Sequence, residues 1–204
     1  MRKTIICNIP MKEKVDQTVY LSDDRSVPVS ERAVRFPINT FLEKTMKDSD
    51  ELKVVMLIKR SKYDFSTRNA EYFKNELENI NSLIGAKIEY KMIESEFTQK
   101  ASVHKKLVSQ IVDELDFEDN LYIDITYGSK DLPIVIFTAL NYAEKFMGCN
   151  IENILYGQAS FDGDKVVDTK IYDMIPLYCI SSITNTIDIE PDKAKDMLKV
   201  IVSH

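Results

Sequence analysis

The chain has 204 residues, 44% hydrophobic and 29% charged, with a net charge of -6. That is enough for one domain with a buried core, and too apolar for a disordered chain. An acidic chain lacks the basic face that duplex DNA or RNA needs, although a small anionic ligand needs only a few well-placed donors.

The chain opens with "KTIICNIPM", a buried strand ending near Asn8–Pro10. It has no small-residue cleavage site, and Pro10 and charges break it at once, so it reads as a strand and not a signal peptide. "DQTVYLSDDRSVPVSE" is polar and rich in turn residues, a hairpin or a long loop. "PINTFLEKTMK" carries Ile38, Phe41, Leu42 and Met46 at helical spacing. "LKVVMLIKRS" is continuously apolar from Val54 to Ile58, the pattern of a strand covered on both faces. Lys59, Arg60 and Lys62 at its end read as surface charges or, alternatively, as cations facing the ligand rim. "TRNAEYFKNELENINSLIG" is a helix with the stripe Ala70, Phe73, Leu77, Ile80 and Ile84, and Gly85 closes it.

"AKIEYKMIES" alternates, which suits a strand near the sheet edge. "QKASVHKKLVSQIVDEL" is a helix with Val103, Leu107, Ile111 and Leu115 on one face; His104, among lysines, reads as exposed. "DELDFED" (113–119) reads as a solvated helix end and not a metal site. "NLYIDIT" is the next strand, and "LPIVIFTALNYAEKFMG" a mostly buried helix with Pro133 in its first turn and Gly148 at its end. "IENILYGQ" is a strand ending at Tyr156–Gly157–Gln158, before the hairpin signal Asp162–Gly163. "KVVDTKIYDM" reads as an antiparallel strand, and "EPDKAKDMLKVIVSH" as a short helix whose apolar side (Ala194, Met197, Leu198, Ile201) suits docking.

Strands alternating with helices imply right-handed βαβ units. The expected fold is α/β: a Rossmann-like, mostly parallel sheet with helices on both faces and an antiparallel edge strand or hairpin. The expected division is a domain over residues 1–180 and a tail over 181–204. The three cysteines (Cys7, Cys149, Cys179) are far apart and, with His104 and His204, lack the spacing of a zinc site, so they read as buried reduced thiols of a cytoplasmic protein with no metal and no cofactor. No run approaches the roughly 20 apolar residues of a membrane span.

In such a sheet, ligands bind beyond the carboxyl ends of the strands, where strand order reverses. The loops expected there are "NIPMK" (Asn8 to Lys12) and "TYGSKD" (Thr126 to Asp131). In the second, Gly128 permits a tight turn and close approach, Thr126 and Ser129 donate hydroxyls, Lys130 adds a cation and the next helix adds free amides; Asp131 reads as the cap of that helix. The same residues also suit an ordinary strand–turn–helix connection. Tyr156, Gly157 and Gln158 end a strand on the same edge, where Gly157 permits a close approach or simply a turn. GxGxxG, GxxxxGK[ST] and GxSxG signatures are absent.

"DITYGSKDLPIVIFTALNYAEKFMG" followed by "IENILYGQ" resembles the central signature of the CRISPR-associated Rossmann fold (CARF) family. One branch has a strand of the form hydrophobic-Asp-Ile-Thr-His/Tyr-Gly, a polar–basic pair, Leu-Pro, a helix and a strand ending in Tyr-Gly. Many of its members have a Gly-rich or Thr-containing first loop, where this chain has Asn8-Ile9-Pro10. Many also carry a ribonuclease or winged-helix effector, for which residues 181–204 are too few.

The resemblance implies a homodimer that binds a cyclic oligoadenylate across its two-fold axis in type III CRISPR defence, with an effector module or protein as a possible further partner. Ser129, Lys130 and the Gly128 amide would grip phosphates, while Tyr127, Asn8 and Gln158 would read adenines. Three functions stay open: a sensor that only binds the ring, a metal-independent ring nuclease using Ser129 and Lys130 to position the 2′-hydroxyl and stabilise charge, and a domain for another small nucleotide or anion.

Overall fold

The computed structural model describes residues 1–62, 64–163, 165–186 and 190–202; His204 lies outside them. Strands β1 (Arg2–Asn8), β2 (Glu51–Arg60), β3 (Lys87–Glu96), β4 (Asn120–Asp124), β5 (Asn150–Asp162) and β6 (Lys165–Asp173) form one sheet in the order β3-β2-β1-β4-β5-β6. The first five strands are parallel, and β6 pairs antiparallel with β5 at the edge. Helices α1 (Pro37–Thr45), α2 (Ser66–Asn81), α3 (Ala101–Asp113) and α4 (Leu132–Tyr142, extended by a π-helical turn Ala143–Met147) connect the parallel strands, and α5 (Ile175–Thr186) and α6 (Ala194–Val202) follow. This is the expected Rossmann-like α/β fold. No described helix is long and apolar enough to cross a membrane.

The pleat explains the two-sided core. Successive side chains of a strand point to opposite faces. Val54, Met56 and Ile58 of β2 therefore join the core under α1 and α2, with Ile5, Phe41, Phe73 and Leu77. Val55 and Leu57 join the core under α3 and α4, with Ile6, Leu107, Ile111, Ile123 and Ile136. Each such fully buried side chain contributes roughly 1.5–3 kcal/mol relative to exposure. The strand is buried on both faces because it carries apolar residues at both parities. β3, which alternates, sits at the edge, as its pattern requires.

The polar segment after β1 is a long loop, one of the two expected forms, pinned by an antiparallel bridge between Thr18 and Val34 and by a bridge from Leu21 to Lys170. Several other local expectations are corrected. Cys179 is exposed, whereas Cys7 and Cys149 are buried as expected. β5 does not end at Gly157. It continues to Asp162, with Gly157 paired to Ile171, so β5 and β6 project as a hairpin beyond the parallel sheet. The segment 113–119 is a helix end only partly solvated: Asp113 and Glu118 are exposed, but Asp119 is buried and accepts from the Thr4 hydroxyl, while Asp116 pairs with Arg2 and Lys53. α5, not foreseen, crosses residue 180 and places Tyr178 edge-on to Phe137 of α4, its hydroxyl donating to Glu144. α6 has no buried residue.

Candidate functional site

Strand order reverses between β1 and β4, because β2 and β3 lie on one side of β1 and β4 to β6 on the other. The chain leaves the sheet at Asn8 and at Asp124, which opens a crevice between the two exits. Ile9 stays held by its amide, which donates to the Leu57 carbonyl (3.0 Å), before Pro10 ends the pairing.

Asp124 fixes the second exit. Its carboxylate accepts from the Thr126 amide (2.8 Å) and from the Ile38 amide at the start of α1 (3.3 Å). Burial pushes this carboxyl up, while the Thr126 and Ile38 hydrogen bonds pull it back in part. Thr126 Oγ1 in turn accepts from the Gly157 amide (2.8 Å). One aspartate and one threonine thus tie β4, α1 and β5 together beneath the loop.

The two glycines serve this packing. Gly128 has φ +99°, and a Cβ there would lie 2.6 Å from Leu132 Cδ1 and 3.3 Å from Asn8 Cβ. A Cβ on Gly157 would lie 2.4 Å from Pro37 Cγ and 3.2 Å from Thr126 Cγ2. The close approach that a glycine permits is to the chain itself at both positions.

Above them is a cleft of about 560 Å³. One wall is Thr126–Lys130, a second is Pro10–Lys12, and the third is Phe97 and Gln99 from the turn after β3. Among the described residues, the amides of Gly128, Ser129 and Lys130 donate no hydrogen bond to the protein. Three successive free amides in the turn before α4 supply the donors of an anion-binding concavity; the first two residues of α4 add none, against expectation, because the Leu132 amide donates to the Ser129 carbonyl and Pro133 has no amide hydrogen. Lys12 and Lys130 are exposed beside it, and Phe97, 53% exposed, offers a bare ring at the rim. A smaller hollow of about 240 Å³ adjoins it across Thr126 and Tyr127, with Lys12 shared between the two. Among the described residues, the wall of the larger cleft includes no carboxylate and no imidazole.

The fold therefore brings Pro10, Thr126, Tyr127, Gly128, Ser129 and Lys130 into one cleft. Asn8 and Ile9 lie under it, 2% and 1% exposed. Tyr156 and Gln158 are exposed on the hairpin, outside both hollows, whereas Gly157 lines the smaller one. Tyr127 donates its hydroxyl to the Arg35 carbonyl (2.8 Å), stands edge-on to Phe36, and has the Lys12 ammonium 5.3 Å from its ring centre. Its phenol is pushed up by burial and by neighbouring Tyr20. Sequence reasoning passed over Phe97 and Gln99; an aromatic residue inside the polar turn "SEFTQK" was the available signal. It also quoted Lys12 without assigning it a role.

Directly behind the loop lies a buried polar cluster. Asp131 makes no side-chain cap to α4. Its Oδ2 lies 3.1 Å from Lys59 Nζ and 2.9 Å from His104 Nε2 instead. Lys59 is 2% exposed, not a surface charge, and His104 is partly buried against Asp131, not free in solvent. Burial alone would raise the Asp131 carboxyl, but the nearby Ser129 hydroxyl and the Lys59 ammonium outweigh it and hold the group at about 2.

No known protein family matches the chain, and no curated protein does.

Proposed function

We propose that the chain is a sensor domain that binds a cyclic oligoadenylate at the cleft between β1 and β4, acting in the cytoplasm as part of type III CRISPR defence. The observation that carries this reading is the anion seat: three free amides with Lys12 and Lys130 beside them, on a chain that is acidic overall. Charge-assisted hydrogen bonds to such donors contribute roughly 1.5–3 kcal/mol each. Phe97 gives an adenine a stacking surface next to the phosphate seat, and base–aromatic stacking is worth roughly 1–3 kcal/mol. The resemblance of the Asp124–Gly128 stretch to the CARF signature supplies the ring.

A symmetric ring calls for a symmetric host. The helix that begins at the seat exposes Ile134 (71%), Tyr142 (48%) and Phe146 (62%) at intervals of eight and four residues, an apolar side suited to a second copy. Two copies joined there would bring two seats to one axis. Binding without cleavage is the favoured activity, because the described residues of the cleft wall offer no carboxylate or imidazole to take a proton from a ribose hydroxyl.

Thermal melting with cyclic tetra-adenylate, cyclic hexa-adenylate and linear tetra-adenylate tests this, with chromatography of each mixture. A rise in melting temperature with one ring, none with the linear form and no new products is the expected result. Linear products that vanish in Lys130→Ala would replace the sensor reading with a ring nuclease. No rise with either ring would leave a different small nucleotide or anion as the ligand.

A further inference from the structure

Ten buried side-chain nitrogen and oxygen atoms lack an aligned hydrogen bond among the described residues, and seven of them lie in one place. They are both side-chain atoms of Asn8, Lys59 Nζ, His104 Nε2, Ser129 Oγ and both oxygens of Asp131. Five of them face one another: the Asp131 carboxylate meets the Lys59 ammonium, the His104 imidazole and the Ser129 hydroxyl, so charge pairing and not water satisfies them. The cluster lies immediately behind the free amides of Gly128, Ser129 and Lys130.

The charges in it pose a physical problem. Asp131 follows Lys130 directly and stays ionised at any ordinary pH. A carboxylate held behind an anion seat repels the anion, and the low dielectric of a buried site strengthens that repulsion. The group facing it from β2 is the Lys59 ammonium at 3.1 Å, and the group facing it from α3 is the His104 imidazole at 2.9 Å. α3 begins at Ala101, just after the turn that carries Phe97 and Gln99, so the same carboxylate links two walls of the cleft.

We propose that Lys59 is a positioning residue for the anion seat: its buried ammonium neutralises and anchors Asp131, so that the loop amides face an anion with no net negative charge behind them. This rests on the reading of the cleft as a phosphate site, but not on the ligand being a ring. Lys59 does not line the cleft and touches no ligand there. It acts through Asp131.

The test compares wild type with Lys59→Met, Asp131→Asn and the double variant. Dissociation constants are measured by calorimetry for inorganic tripolyphosphate and for cyclic tetra- and hexa-adenylate, with melting temperatures alongside. Lys59→Met weakens tripolyphosphate binding at least tenfold. Asp131→Asn binds as tightly as wild type or more so, although it melts lower because Lys59 is then a buried cation without its partner. The double variant returns to within threefold of wild type.

A purely structural role would weaken both single variants alike, so the opposite responses are decisive. Lys59→Met within threefold of wild type, equal losses in both single variants, or a double variant as weak as Lys59→Met would each overturn the proposal. Should Lys59→Met not fold, the double variant decides alone: near-wild-type affinity upholds the proposal and a tenfold loss ends it. A wild type that binds tripolyphosphate but neither ring would end the ring reading and leave this inference standing. A wild type that binds none of the three would end both.

Discussion

Gly157→Ala probes the link between packing and the cleft. Gly157 needs no unusual backbone conformation, so the added methyl is the whole perturbation. The new Cβ would lie 2.4 Å from Cγ of the buried Pro37, where carbon atoms normally keep about 3.5–4 Å. Strand or helix must move by roughly 1 Å, and overpacking of this kind costs about 1–3 kcal/mol. The movement also stretches the 2.8 Å bond from the Gly157 amide to Thr126 Oγ1, adding about 1 kcal/mol. The expected loss is about 2–4 kcal/mol, a fall in melting temperature of about 5–15 °C for a domain of this size.

Calorimetric melting of Gly157→Ala and Gly163→Ala makes the comparison. Gly163 has φ +60° with nothing within 4 Å, so its variant bears only the left-handed penalty of roughly 1–2 kcal/mol. Adding Pro37→Ala to Gly157→Ala removes the closest contact and recovers part of the loss. Tripolyphosphate affinity falls severalfold in Gly157→Ala, because Thr126 carries the cleft wall. A Gly157→Ala protein that melts as high as Gly163→Ala would refute the packing argument.

Three other outcomes follow from the same geometry. Lys130→Ala weakens the binding of tripolyphosphate and of the preferred ring about tenfold, the loss of one charge-assisted bond; an unchanged dissociation constant would take Lys130 out of the seat. Phe97→Ala weakens adenylate binding about 5- to 100-fold by the loss of one stacked base and leaves tripolyphosphate binding unchanged; equal losses for both would show a collapsed cleft. Asp131 sits at about 2 in the fold against an ordinary 3.8, so it stabilises the fold above pH 4, and that contribution, roughly 2 kcal/mol, disappears as pH falls from about 4 to 2. Acid melting of Asp131→Asn therefore lacks that part of the wild-type slope; parallel curves would contradict the ion pair.

The architecture was legible because it is written in periodicity. Val54–Ile58 declares a two-sided strand, "KIEYKMIES" an edge strand, and the stripe Ala70–Phe73–Leu77–Ile80 a helix face. α5 was not legible: "IPLYCISSITNT" carries β-branched residues that favour strands, and what holds it is tertiary, with Tyr178 against Phe137, Tyr178 and Ser182 on Glu144, and the Asp173 carboxylate accepting from the Ile175 amide. The end of β5 was misplaced because Gly157 has the look of a turn, whereas it is the point where the strand passes Pro37.

The site was half legible for a related reason. The loop Thr126–Lys130 shows in sequence because its residue types are turn-forming and anion-binding at once. Its supporting charges do not. Lys59 ends a strand like any surface lysine, His104 stands among exposed lysines, and Asp131 has the position of a helix cap. Only the packing of α3 and α4 over the end of β2 turns these three into one buried cluster. The apolar side of α6 was legible as amphipathic, but amphipathicity does not say what covers it, and none of the described residues buries it.

The most direct test of the ring reading is stoichiometry. Calorimetric titration of the protein with cyclic tetra-adenylate and cyclic hexa-adenylate, with light scattering on the same samples, gives one ring per two chains and the mass of a dimer. One ring per single chain, or no heat with either ring, would contradict a shared seat on a two-fold axis.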